Sequence, residues 1–105
     1  MKNKVFKIGF NHKSFLIKDY IVCDNYFSKF RGLMFRGKEF SKPLLFVFKN
    51  PNRQAIHSFF CEPFLAVWLF NDEIIEQKLI VPNKISVTPA KKFNYLLEIP
   101  LKYFS

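Results

Sequence analysis

A mainly β domain is the fold class this sequence predicts: an antiparallel sandwich, jelly-roll-like or barrel-like, with one short helix over about residues 25–36. Three observations carry the prediction. Half of the 105 residues are hydrophobic and 19% are aromatic, 15 of them Phe. Such side chains suit a pleated, half-buried surface and rule out a disordered chain. The apolar residues also fall into runs of five to eight bounded by Asn, Asp and Pro, at regular spacing. Finally, 105 residues suffice for one domain, taken here as 1–105, and are too few for two.

The elements follow in order. Lys4–Phe10 alternates, with Phe6, Ile8 and Phe10 on one face and Lys7 on the other. Asn11-His12-Lys13 reads as a hairpin turn, with His12 a solvated loop residue. Ser14–Val22 reads as a second strand, apolar on both faces and therefore central. Asp24 is placed to cap a helix over 25–36, where Phe27, Phe30 and Met34 share one face and Gly37 ends it. Gly32 inside that helix costs about 1 kcal/mol relative to Ala, which points to a close approach of another backbone.

Leu44–Phe48 is a continuous apolar run and predicts a buried strand, followed by a turn at Asn50-Pro51-Asn52. Gln54–Cys61 alternates as a further strand. Phe64–Phe70 reads as fully buried, and Asn71-Asp72 turns the chain tightly into Ile74–Val81. A turn at Pro82-Asn83 leads to a short strand, Ile85–Thr88. Phe93–Ile99 is the last strand.

The formal net charge is +9, from 17 basic and 8 acidic residues. That charge suits nucleic acid, an anionic membrane or an acidic partner. Lys supplies 14 of the cations and Arg only 3, however, whereas bidentate phosphate recognition favours Arg. The joint richness in Lys, Phe, Asn and Ile also matches AT-rich coding. Lys2, Lys4, Lys7, Lys84, Lys91 and Lys92 form a basic face if the first strand lies near the last loops. The N-terminus lacks the apolar core of a signal peptide, and the longest apolar run is far too short for a membrane span. Cys23 and Cys61 form no C-x-x-C pair. These features predict a cytoplasmic protein with reduced cysteines.

Catalytic motifs are sparse. Paired carboxylates, nucleophile elbows and phosphate-binding Gly loops are absent. His57 and Cys61 lie four residues apart on a strand, about 13 Å, whereas a nucleophile and its base need about 3 Å. A zinc site lacks a fourth ligand, so neither a metal nor a cofactor is expected. Arg31 and Arg36 can clamp a carboxylate ligand or pin the helix to the sheet. Glu98, between Leu97 and Ile99, is either solvent-facing or buried with a partner, and Arg31 or Arg36 is the best candidate for that role.

Arg31-Gly-Leu-Met-Phe-Arg36 resembles the R-G-L-M-x-R signature of the domain of unknown function 192 family. Gly32, Leu33 and Met34 are its central residues. Leu44–Phe48, Ile56–Cys61, Phe64–Phe70 and Tyr95–Pro100 follow in the order of that family's later motifs, so the resemblance spans residues 23–100. It resembles the archaeal branch most. The resemblance implies a compact β domain of sandwich type and brings no established activity. Ala66 stands where the family carries Asp, and the chain ends short of the family's last segment. That shortening is expected to leave a sheet edge open to a protein partner or a second copy.

The sequence thus predicts a small non-enzymatic binding or accessory domain with a pocket formed by Arg31, Arg36, His57 and Glu98. Two alternatives stand beside it: electrostatic binding of nucleic acid, and an enzyme using His57 and Glu98 as acid–base groups.

Overall fold

The computed structural model describes residues 4–23, 42–53, 63–81 and 88–104. Among the described residues seven strands form two sheets: β1 Phe6–Phe10, β2 Lys13–Ile17, β3 Ile21–Cys23, β4 Leu44–Asn52, β5 Phe64–Phe70, β6 Glu73–Ile80 and β7 Phe93–Pro100. One turn of 3-10 helix, Leu101–Phe104, follows β7. The predicted helix over 25–36, the strand over 54–61 and residues 85–87 of the short strand before β7 lie outside the described residues.

The β1–β2 hairpin is a sheet of its own. Alternation along β1 buries Phe6 and Ile8 and exposes Lys7, as the period-2 pattern requires. Phe10 opposite Lys13 closes a two-residue turn in which Asn11 and His12 both take positive φ, 53° and 64°. This backbone matches the right-handed twist of the flanking strands.

The other five strands form one sheet in the order β3-β4-β7-β5-β6. β7 is paired on both sides, to β4 and β5, and the apolar run of β5 is buried along Phe64–Leu69. One face carries Leu45, Leu65, Val67, Leu69, Leu97 and Ile99, and the hairpin packs onto it through Phe6, Ile8 and Ile17. The opposite face gathers Leu44, Phe46, Phe64, Ala66, Trp68, Ile80, Phe93 and Leu96. The layout is a mainly β two-layer domain, and the sheet is not closed into a barrel.

The structure corrects three expectations. Ser14–Val22 is not one central strand. Lys18-Asp19-Tyr20 interrupts it, carrying the chain from the hairpin to the edge of the larger sheet. Its apolar residues on both faces divide between two sheets: Ile17 is buried under the hairpin while Leu16 points outward. Two contacts hold the crossing: the Tyr20 hydroxyl donates to the Lys4 carbonyl at 2.7 Å, and Lys42 pairs with Asp19 at 3.3 Å.

Second, the pairing is not antiparallel throughout, because β3 runs parallel to β4. Third, Asn50-Pro51-Asn52 is not a turn but the end of β4. The register slips between Val47 and Asn52, and that irregularity is where a strand tolerates a proline without an amide to donate. Strand β7 is interior, paired on both sides. The open edges among the described strands are β3 and β6. The final turn folds back, with Phe104 stacked on Phe10 at 4.6 Å and edge-on to Phe15 at 4.7 Å. Among the described residues no helix is long and apolar enough to cross a membrane.

Candidate binding site

Glu98 is the one charged or polar residue in the buried core of the described residues. Its position follows from strand alternation. Leu97 and Ile99 point toward the hairpin, so Glu98 must point to the opposite face. It faces Leu44 of β4 on one side and Ala66 of β5 on the other. Apolar neighbours cannot replace the water a carboxylate loses, so burial pushes its pKa from 4.5 up to about 8. At neutral pH the group is mainly an uncharged acid, with one O–H to donate and a carbonyl oxygen to accept.

Trp68 lies on the same face, two residues from Ala66 and opposite Leu96, so it is a diagonal neighbour of Glu98. Its indole is fully buried and its ring meets Phe93 edge-on at 6.4 Å. The Nε1 donor has no hydrogen-bond partner among the described residues. A buried tryptophan normally finds one, because an unpaired donor costs about 1–3 kcal/mol.

Phe64 and Phe46 occupy the other diagonals around the carboxyl. Ala66, directly opposite, is the smallest side chain of the cluster. The face therefore presents one acid and one N–H donor within an aromatic surround. That arrangement can hydrogen-bond a small polar group set in an apolar body.

The structure settles the choice left open for Glu98: it is buried, not solvent-facing. Arg31, Arg36 and His57, the other members of the predicted pocket, lie outside the described residues, as do Gly32, Leu33 and Met34 of the signature. In the sequence Trp68 stands only as part of an apolar run. The signal was present: a lone Trp in a fully buried strand carries a donor that the strand ladder cannot satisfy.

Of the lysines named for a basic face, the structure describes Lys4, Lys7, Lys91 and Lys92. Lys4 is held by Asp72, which raises its pKa through that hydrogen bond, and its ammonium lies 5.8 Å from the Tyr95 ring centre. Lys7 is exposed on the outer side of the hairpin. Lys91 and Lys92 are exposed beside Ala90, whose N–H donates to Glu76 at 2.8 Å. Glu76 lies opposite Trp68, on the far face of the sheet from the hairpin. Lys2 and Lys84 lie outside the described residues. Among the described residues, no three His, Cys, Asp or Glu side chains are grouped to hold a metal ion.

No family model matches the chain, and no curated protein matches it. Two solved structures share its fold. A candidate transcription regulator from Sinorhizobium meliloti aligns with a TM-score of 0.75 at 17% identity, covering 91% of this chain and 78% of that one. A protein of unknown function from Novosphingobium aromaticivorans aligns with a TM-score of 0.72 at 13% identity, covering 91% of this chain and 71% of that one. At these identities the likeness is one of fold.

Proposed function

We propose that this chain is a small non-enzymatic binding or accessory domain that recognises its ligand on the sheet face presenting Glu98 and Trp68. One observation carries the reading: a desolvated carboxyl and an indole N–H with no partner among the described residues stand together in the apolar cluster of that face. Buried polar groups are normally satisfied, and a donor left without a partner is a group a ligand can complete. A reaction would need a nucleophile or a second titrating group beside the acid, and the residues directly opposite Glu98, Leu44 and Ala66, are apolar. Arg31, Arg36 and His57 belong to this proposal on sequence grounds. So do the cytoplasmic setting and kinship with the domain of unknown function 192 family, which rests on residues 31–36 and the motifs after them.

A thermal-shift screen of small metabolites against the native chain, Trp68→Phe and Glu98→Gln tests it. A native-state ligand raises the melting temperature by mass action. The expected hit stabilises the native chain and loses most of that effect in both variants. A screen with no hit, or hits indifferent to both substitutions, rejects the reading.

Electrostatic binding of nucleic acid is the runner-up. It draws on the charge of +9 and on the candidate transcription regulator among the structural neighbours. The dominance of Lys over Arg, 14 to 3, counts against it.

A further inference from the structure

We infer that two copies of this chain pair through β6, antiparallel and centred on Gln77, to join their five-stranded sheets. This inference is independent of the ligand reading. β6 is a terminal strand of the sheet, bonded among the described strands only to β5. It runs for eight residues, Glu73–Ile80, and no other described strand pairs with the backbone donors and acceptors of its outer side. Large apolar side chains are exposed along it: Ile74 at 42% and Leu79 at 47%, with Phe70 at 40% just before the turn.

The charges on β6 select the register. Glu76 lies opposite Trp68 and Lys78 opposite Ala66, so both project from the same face, and their side chains approach to 3.9 Å. In a two-fold antiparallel pair, residues directly opposite share a face, so the axis passes through a residue. An axis through Glu76 sets Glu76 against itself, and one through Lys78 sets Lys78 against itself. Like charges opposite one another repel. An axis through Gln77 sets each Glu76 against the Lys78 of the copy, twice over. It also brings Leu79 onto the Ile74–Ile75 stretch, where β6 bulges relative to β5. A lysine on an edge strand usually wards off partners; here it has its complement at the matching position of a second copy.

Sedimentation of the native chain, Lys78→Glu and the charge-swapped Glu76→Lys/Lys78→Glu double variant tests the pairing, with circular dichroism to confirm folding. Lys78 is exposed, so its replacement leaves the core intact. The native chain is expected to dimerise at micromolar to submillimolar concentration. Lys78→Glu, with two repulsive pairs, should weaken the dimer by about tenfold or more, and the swap should restore it. A native chain that stays monomeric, or a dimer indifferent to Lys78→Glu, overturns the inference. A dimer lost in Lys78→Glu and not regained in the swap, with both folded, overturns the Gln77 register. Because none of these positions touches Glu98 or Trp68 directly across the sheet except Glu76, the single Lys78→Glu variant should keep any ligand response. The two proposals therefore fail separately.

Discussion

His12 shows how a single residue can be legible in role and hidden in cost. Its place in a polar break between two apolar runs marks it as a turn residue. What the break does not show is that the turn has two residues and that His12 sits at φ 64°, left-handed backbone that crowds its Cβ. Asn11, at 53°, bears the same geometry more easily, since Asn tolerates that region. His12→Gly should therefore stabilise the protein by about 0.5–1 kcal/mol, despite the added freedom of the unfolded chain. Urea denaturation measures it, and an unchanged or lower midpoint would contradict the strain. Glu98 is the opposite case. Alternation assigns it the face opposite Leu97, but whether that face is wet depends on what the sheet packs against.

At the level of elements, the continuous apolar runs were the most readable. Leu44–Phe48 and Phe64–Phe70 are strands with buried segments, as their composition implies. Ser14–Val22 failed because an apolar residue on either face means burial against something, not burial within one sheet. The turn read at Asn50–Asn52 failed because local turn chemistry was outweighed by β7, which carries β4 on past a register slip. The 3-10 turn is the element whose purpose only packing reveals. Phe104 ties the chain's last turn to the hairpin through Phe10 and Phe15. Phe104→Ala should cost about 2 kcal/mol, less than a fully buried Phe because the ring is partly exposed. Hydrogen exchange should show β1 and β2 losing protection before β5 and β7; uniform loss would mean the turn does not anchor the hairpin.

For the whole molecule, the buried carboxyl links stability to pH. In the unfolded chain Glu98 loses its proton near 4.5, and in the fold it keeps it until about 8. Between those values the folded state binds more protons than the unfolded one, so unfolding becomes easier as pH rises. The contribution is complete below pH 4.5 and lost as pH passes 8. Glu98→Gln carries no such proton. Its stability relative to the native chain should improve by on the order of a few kcal/mol from pH 4.5 to 8 and then level off. Paired denaturation curves across that range check it, and a difference independent of pH would show that the native fold does not retain the proton.

The amino-acid sequence by itself determined the strand-rich composition, the inward and outward faces of β1, the buried runs of β4 and β5, and Glu98 as the residue to watch. Each depends on neighbours within a few positions, where side-chain period and turn chemistry act. Long-range pairing sets the hairpin apart as a separate layer, runs β3 parallel to β4, and puts β7 inside the sheet with β6 at an edge of the described strands. It also decides that Glu98 and Trp68 share a buried face. These depend on pairing between residues tens of positions apart. Several pairings satisfy the same local pattern, and the choice among them rests on how the apolar faces close against one another.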